Sequence, residues 1–529
     1  MLRFQSRRLI RLATLVPILA LWALSTRAKS SYFNARYANG PAPNASGIAT
    51  ILPADSGYIG MGQGYEYPFP NSAVWLVRFL DPDGRLRRQR AFGRPGYYYY
   101  PNFRNSLLRV RGGYAASGTV NVPNGDNYPM LWRFDARGDT LWTRTYPRAN
   151  ALAYNGCRTR DGGYALTGTA QIRASPYNGD AWLLRTDSLG RRLWEKTYAF
   201  AYAEEAFSIV PTPDGGFLLS GQVWYVTATS DEDRDAFVLK VDSLGNERWR
   251  RTFGAPEPYD GWAVVSVAAD GSYLMSTCRA TRNLNGLVQR RAMVYRLDPA
   301  TGQTRWQRAI GPESYAANTY AIHELTDGSL VVGGVQADPT GATPVGNGWP
   351  VGYAFKLCAD GDSVWYRTYR HFTGGRSHNY LRDFRPTPDG GFVGCGFLFG
   401  RAPDPVANDA WAFKIDSAGY QLPGGAPPTV RCPRVVGVAP EALHGATLEV
   451  YPNPAETSVT LTYALPAGVT SGEVVLHDLF GKEVVSFCGC YLWLMIAIFH
   501  CCTSCQSTDV IRNGKNTSGN AKFRCKSCG

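Results

Sequence analysis

Four cysteines near the end of the chain carry the sharpest chemical signal: Cys502-Thr-Ser-Cys505 and Cys525-Lys-Ser-Cys528. Two C-x2-C pairs 19 residues apart have the spacing by which two hairpin knuckles present four thiolates to tetrahedral zinc. Arg512, Lys515, Lys522, Arg524 and Lys526 surround them, and such a basic setting suits phosphate contact. Zinc and a nucleic acid are therefore the cofactor and partner expected of the tail. Seven of the twelve cysteines lie from Cys488 onward. The other five, Cys157, Cys278, Cys358, Cys395 and Cys432, are odd in number and irregular in spacing. They read as small buried side chains more than as a disulfide framework.

Elsewhere reactive spacing is sparse. The six histidines, at 323, 371, 378, 444, 477 and 500, form no H-E-x-x-H, and no G-x-S-x-G is present. No catalytic constellation emerges. Asp231, Asp233 and Asp235 alternate like a calcium loop, but Ala236 stands where the loop needs glycine and no glutamate fills the twelfth place. Asp235 also recurs as Asp180 and Asp409, which points to a structural role. The aromatic-rich segments hold the candidate ligand face: Tyr97, Tyr98, Tyr99, Tyr100, Trp224, Tyr225 and Trp349. Flat rings of this kind stack on sugars or meet a protein partner.

The elements that must position these residues are set by a repeat. Seven units of about 50–60 residues fill the body, a period of propellers and solenoids. Each carries two phrases. D-G-G-[YF]-x-x-x-G occurs as Asp161–Tyr164, Asp214–Phe217, Asp270–Tyr273, Asp327–Leu330 and Asp389–Phe392, with weaker copies at Asp55–Tyr58 and Arg111–Tyr114. D-A-[WF]-x-x-[KR]-x-D-S-x-G-x-x-x-W is clearest at Asp180–Tyr198 and Asp235–Phe253. Each phrase is a hairpin: glycine supplies positive φ and aspartate bonds its own backbone. Four strands make a sheet that cannot bury both faces alone, so the sheets stack in a ring. The expected fold is an all-β, seven-bladed β-propeller over residues 30–425. Trp142, Trp194, Trp249, Trp306 and Trp365 recur four residues after the turn glycine and are expected to wedge between blades. The seventh unit lacks a fourth strand, and Tyr32–Tyr37 matches it; an N-terminal strand that closes the ring removes an open edge. The two turns of each unit share one rim, and the variable aromatic loops share the other.

The net charge of +13 suggests a polyanion partner, but its distribution excludes one for the body. Residues 1–30 carry +6, residues 488–529 carry +4 and residues 31–487 only +3. A basic start (Arg3, Arg7, Arg8, Arg11) and an apolar run over Leu12–Leu24 have the form of a signal peptide, residues 1–28. The run is shorter than the ~20 residues that span a bilayer. The expected location is secreted or at the cell surface.

Three resemblances follow from these residues. Asp298–Trp306 resembles the tryptophan-docking phrase of quinoprotein-like propellers, without matching cofactor ligands. After a Pro/Val linker over residues 426–447 come Leu448-Glu-Val-Tyr451-Pro452-Asn453-Pro454, the strand Ser458–Ala464, and Asp478-Leu-Phe-Gly481-Lys-Glu-Val484. This segment resembles the type A C-terminal sorting domain of type IX secretion cargo. That resemblance implies a small β-sandwich read by the outer-membrane export machinery. The domain is truncated near Phe487, before the family's Gly-x-Tyr strand and basic final strand, which predicts impaired export. Past a junction at 488–499, residues 500–529 resemble the N-terminal zinc ribbon of insertion-sequence transposases and imply an insertion at the seam. The function expected is that of an exported, non-enzymatic glycan- or protein-binding module; the alternatives are a polysaccharide-active propeller enzyme and a transposase-derived DNA-binding ribbon fused by insertion.

Overall fold

The computed structural model describes residues 32–38, 46–65, 72–101, 106–148, 151–171, 179–226, 232–254, 260–282, 288–314, 317–338, 349–372, 377–399 and 408–422, together with the backbone of seven strands between 447 and 525. The chain divides into two compact units, Met1–Cys432 and Pro433–Gly529.

The first unit is all β. Its strands are β1 (Phe33–Tyr37); β2 (Thr50–Ala54), β3 (Gly57–Tyr65), β4 (Ala73–Leu80) and β5 (Leu86–Phe92); β6 (Tyr98–Tyr100); β7 (Leu107–Val110), β8 (Gly113–Asn121), β9 (Asn127–Phe134) and β10 (Thr140–Thr145). Then come β11 (Ala151–Arg158), β12 (Tyr164–Gln171), β13 (Gly179–Thr186) and β14 (Arg192–Tyr198); β15 (Ala203–Pro211), β16 (Phe217–Val226), β17 (Glu232–Val241) and β18 (Glu247–Phe253). The last are β19 (Val264–Val267), β20 (Tyr273–Arg282), β21 (Val288–Leu297) and β22 (Thr304–Ser314); β23 (Asn318–Glu324), β24 (Leu330–Ala337), β25 (Pro350–Leu357) and β26 (Ser363–Tyr369); and β27 (His378–Pro386), β28 (Phe392–Phe399) and β29 (Asp409–Ile415).

Four quartets in chain order, β11–β14, β15–β18, β19–β22 and β23–β26, each form an antiparallel sheet. A fifth sheet runs β1-β29-β28-β27, with Phe33 opposite Lys414 and Tyr37 opposite Ala410. The N-terminal strand thus completes the last sheet, where the sequence lacks one. The sequences β2–β5 and β7–β10 fall in a single nine-stranded sheet because β6 bridges β4 and β8. First strands of successive quartets touch in the order β2, β7, β11, β15, β19, β23, β27 and return from β27 to β2. This is a multi-bladed β-sheet fold.

The repeat phrases build it by local physics. In the turn after β15, Gly215 takes φ +82°, open to glycine at no steric cost. In the turn after β17, Asp242 Oδ1 accepts the backbone N–H of Leu244 at 2.9 Å and of Asn246 at 2.8 Å. The basic residue of the second phrase reaches the aspartate of the first. Lys240 lies 2.7 Å from Asp214, Lys414 2.9 Å from Asp389, Lys356 3.4 Å from Asp327, and Arg185 donates to Asp161 at 2.6 Å. Burial alone would raise the Asp214 carboxyl, but hydrogen bonds from Lys240 and Thr212 bring it down to about 2. Sheets interlock through apolar clusters shared between neighbours, such as Leu183, Phe217 and Phe237.

The expectation that all five body cysteines are small core residues needs one correction. Cys157, Cys278 and Cys395 are free and buried, but Cys358 is disulfide-bonded. Irregular spacing in sequence does not constrain which chain segments meet in space.

The second unit holds β30 (Thr447–Tyr451), β31 (Ser458–Ala464), β32 (Gly472–His477), β33 (Glu483–Gly489), β34 (Leu494–Ala497), β35 (Val510–Lys515) and β36 (Ala521–Cys525). They pair as β30-β31-β34, β32-β33 and β35-β36. The 488–499 segment, expected as a bare junction, supplies the end of β33 and all of β34.

Candidate functional site

The glycine that ends the first phrase shapes the inner face of the first unit. A Cβ at Gly62, Gly168, Gly221, Gly334 or Gly396 would overlap the carbonyl oxygen of Gly47, Leu152, Glu205, Asn318 or Tyr380 respectively. The first strand therefore runs hard against the second and then bulges. Register shifts fall between Ala153 and Asn155, Ala206 and Ser208, Thr319 and Ala321, and Leu381 and Asp383. A bulge re-aims the extra residue, and those residues are Tyr154, Phe207, Tyr320 and Arg382.

These residues meet. The rings of Tyr154 and Phe207 stand 4.9 Å apart, those of Phe207 and Trp262 4.8 Å, and those of Trp262 and Tyr320 6.1 Å. The Arg382 guanidinium ends the arc, 5.4 Å from the Tyr320 centroid, 5.5 Å from Tyr380 and 5.1 Å from Phe397. Tyr380 and Phe397 stack at 4.6 Å. Tyr154 Oη donates to Glu205 Oε1 at 3.0 Å. Ala49 takes the corresponding place before β2, within a bulge between the Ser46–Gly64 and Thr50–Met61 pairs. With a methyl there in place of a ring, a cavity of about 270 Å³ opens. It is lined by the 46–49 segment, Gln63, Tyr65, Pro101, Arg382, Phe397 and Asn408.

A second cluster lies where β16 ends and β17 begins. Arg234 sits over the Trp224 ring at 3.7 Å. Burial and the carboxylates of Asp233 and Asp260 lift Asp235 from the usual carboxylate range to about 6. By strand order this cluster shares a rim with the Arg382 cavity: both lie opposite the Asp-Gly-Gly turns.

The seven aromatic residues of the expected ligand face are placed unequally. Tyr99 is 4% exposed and packs between Trp75 and Phe92, at 6.1 and 5.4 Å. It belongs to the core, because β6 is drawn into the sheet. Tyr97 stacks on it at 6.2 Å, and Tyr98 and Tyr100 are half-buried. Tyr225 packs on the core cluster that holds Phe217 and Phe237. Trp349 lies 4.7 Å from the His378 ring. Among the described residues no ring contact joins the three groups. The recurrent tryptophans lie on the neighbouring sheet's turn glycine. Trp142, Trp194, Trp249, Trp306 and Trp365 stand 2.6–3.2 Å from where a Cβ on Gly190, Gly245, Gly302, Gly361 and Gly419 would be. Trp249 Nε1 also donates to the Pro299 carbonyl at 3.1 Å, and Trp365 Nε1 to that of Ser417 at 3.2 Å.

The inner arc was not anticipated from sequence, though a signal for it exists: Tyr154, Phe207, Tyr320 and Arg382 each lie seven residues before the turn aspartate. Asp231 and residues 1–28, expected as a signal peptide, lie outside the described residues. So do Pro452, Asn453, Pro454, Asp478 and Gly481; Tyr451 ends β30. Of the four tail thiols, Cys525 ends β36 opposite Val510, and Cys502, Cys505 and Cys528 lie outside the described residues. No group of three metal-binding side chains occurs among the described residues. No described helix is long and apolar enough to cross a membrane.

Residues 495–529 match the InsA N-terminal domain, a zinc-ribbon family, beginning inside the segment read as a junction. The four-cysteine donor set and the β35-β36 hairpin between its two halves fit zinc. No curated protein matches the chain. Similar solved structures include Sqt1 from Chaetomium thermophilum, at 10% identity over 82% of this chain and 97% of that one, TM-score 0.40. The polysaccharide lyase Uly1 is 9% identical over 76% and 96%, TM-score 0.40. A lignostilbene dioxygenase from Pseudomonas brassicacearum is 13% identical over 74% and 91%, TM-score 0.40. The strand pairing and the match over residues 495–529 together describe a multi-bladed all-β chain with a zinc-ribbon-like tail.

Proposed function

We propose that the first unit is a seven-bladed β-propeller that takes a polysaccharide at the cavity beside Arg382. The seven quartets and the circuit of contacts from β27 back to β2 support the blade number. The observation that carries the glycan reading is the cavity itself. The Phe397 ring, on which Tyr380 stacks, a guanidinium, amide side chains and the part-exposed Tyr65 converge on a space of about 270 Å³. Apolar faces with a few convergent polar groups are how sugars are held.

Turnover of the bound chain is favoured over binding alone by Asp235. A carboxyl raised to about 6 keeps its proton to a higher pH than an ordinary aspartate does, which suits a general acid in glycoside cleavage at mildly acidic pH. Binding of a polysaccharide panel to the full chain, with product analysis by mass spectrometry, tests both readings. Asp235→Asn should keep binding and lose product. Binding without product leaves a non-enzymatic binding module, and no binding to any polysaccharide sinks the site.

For the address, we infer export by the signal peptide, with type IX sorting at the outer membrane cut short by the truncated domain. The disulfide at Cys358 supports an oxidising compartment. The tail we read as the front of an insertion-sequence zinc ribbon joined to the sorting domain by insertion. Its four thiolates would hold zinc in a reducing cell, where its basic residues would meet DNA. Terminal inverted repeats in the genomic DNA near codon 487 are the expected finding. Colorimetric zinc release from the full chain under reducing conditions should yield about one metal per chain; release of none removes the metal.

A further inference from the structure

We propose that the groove between the β11–β14 and β15–β18 quartets, on the rim that carries the turns, docks an acidic peptide segment of a partner protein, with Arg158 and Arg160 meeting its carboxylates. This face lies opposite the Arg382 cavity, so a peptide here and a glycan there would not compete. Three observations carry it. First, the repeat provides an internal control. Three residues and one residue before the turn aspartate, or the residue in its place, the other six units carry Leu and Ala, Leu and Val, Pro and Pro, Val and Ala, Glu and Thr, and Pro and Pro. The one charge among them, Glu324, is held by Arg296 at 2.9 Å. Packing at these positions does not require a cation, yet the third unit has two. Second, Arg158 and Arg160 are exposed on either side of the buried Thr159, and neither makes an ion pair or side-chain hydrogen bond among the described residues. The carboxylates beside them are taken. Asp161 accepts from Arg185 at 2.6 Å and from Thr159 at 2.7 Å, and Asp214 pairs with Lys240 at 2.7 Å. Third, the arginines stand at one end of a continuous groove. A hollow of about 460 Å³ has Arg158, Arg160, Pro211, Pro213 and Val267 in its lining. It shares Thr159, Arg160, Pro211 and Thr212 with a second hollow, of about 330 Å³, that reaches Leu193, Trp194 and Leu244. Leu193 is 56% exposed and Leu244 64%.

Charge and shape together select the occupant. A peptide can set two carboxylates on the two guanidiniums through charge-assisted, fork-shaped hydrogen bonds. It can also lay an apolar side chain across Leu193, Trp194 and Leu244 and take their exposed surface out of water. A polyanionic polysaccharide would use the cations but leave the leucines uncovered. Residues 31–487 carry only +3, too little to draw a polyanion from a distance. A lipid anion would need an enclosed slot for its acyl chain, and both hollows are open along the rim.

The test uses the full chain and an array of short peptides that carry Glu-Glu at one end and a leucine at each later position in turn. Versions with Gln-Gln for the glutamates and serine for the leucine are the controls, and fluorescence anisotropy measures the best binders in solution. At least one register should bind at least about tenfold tighter than its Gln-Gln counterpart and weaken as salt rises. The double variant Arg158→Gln, Arg160→Gln should lose that margin. Leu244→Ser should weaken binding several-fold and keep the salt dependence, with folding checked by thermal melting. The comparison of glutamate with glutamine peptides on the unaltered chain stands even if a variant fails to fold. Heparin and phosphatidylglycerol vesicles are titrated alongside. No binding in any register, equal affinity for the Gln-Gln counterpart, an affinity unchanged in the double variant, or binding confined to heparin or vesicles overturns the acidic-peptide site. Each of these outcomes leaves the glycan reading of the Arg382 cavity standing.

Discussion

At the scale of single residues, Asp235 has the largest consequence. Its carboxyl rises to about 6 because burial and two neighbouring carboxylates penalise the charge. The native chain therefore holds that proton more tightly than the unfolded chain, whose aspartate titrates near 3.8. Below about pH 4 both states are protonated and the group is neutral to stability. As pH climbs through 6 the native state bears a charge it disfavours, so stability falls. Asp235→Asn should raise the melting temperature at pH 7, by the equivalent of about 1 kcal/mol once solvent screening of a half-exposed group is allowed for. The gain should vanish at pH 4. An equal gain at both pH values would show that the effect is not electrostatic. The residue was visible in the sequence as one of three alternating aspartates, but only as a poor calcium loop. Its perturbation depends on Asp260, 25 positions away, which no local pattern connects to it.

At the scale of the strand pair, the glycine closing the first phrase does more than permit a turn. Gly221 lets β15 pass with the Glu205 carbonyl against it, and that close approach forces the bulge that presents Phe207. Gly221→Ala would put a methyl into that carbonyl. The expected cost is about 2–4 kcal/mol, read as a fall in the denaturant midpoint. The aromatic contacts of Phe207 should loosen as well, read in near-ultraviolet circular dichroism. A variant as stable as the parent would mean that β15 can move aside, and that the glycine does not set the bulge. The turn chemistry, the recurrent tryptophans and the basic residue of the second phrase could all be picked out of the sequence, because each is fixed by spacing within one unit. What the bulge residues face could not, because each touches a different unit. The repeat spacing was also an imperfect guide at Tyr97–Tyr100. Four tyrosines suggested an exposed patch, but β6 pairs with β4 and β8 and carries Tyr99 into the core.

At the scale of the whole molecule, closure depends on a strand from the other end of the chain. Phe33 packs on Gly84, and Tyr37 Oη donates to the Gly84 carbonyl. Tyr146, Tyr198 and Tyr369 donate in the same way to Gly190, Gly245 and Gly419, at 2.8, 2.8 and 3.0 Å. Removing residues 1–38 should unpair β29, expose a sheet edge and detach the last quartet from the first. The expected outcome is a melting temperature lower by several degrees and aggregation on size-exclusion chromatography. An unchanged monomer with the parent melting point would refute closure by β1. The sequence by itself determined the repeat, the strand count of each unit, the hairpin turns, the missing fourth strand with its N-terminal substitute, and the four-cysteine tail. These are set by periodicity, glycine stereochemistry and side-chain-to-backbone bonding within a few residues. Only the tertiary structure decided which side chains face one another across the units: the Arg382 cavity, the lifted Asp235 and the bonded Cys358. Those properties arise from through-space proximity between segments far apart in the chain, where burial and charge act without regard to sequence order.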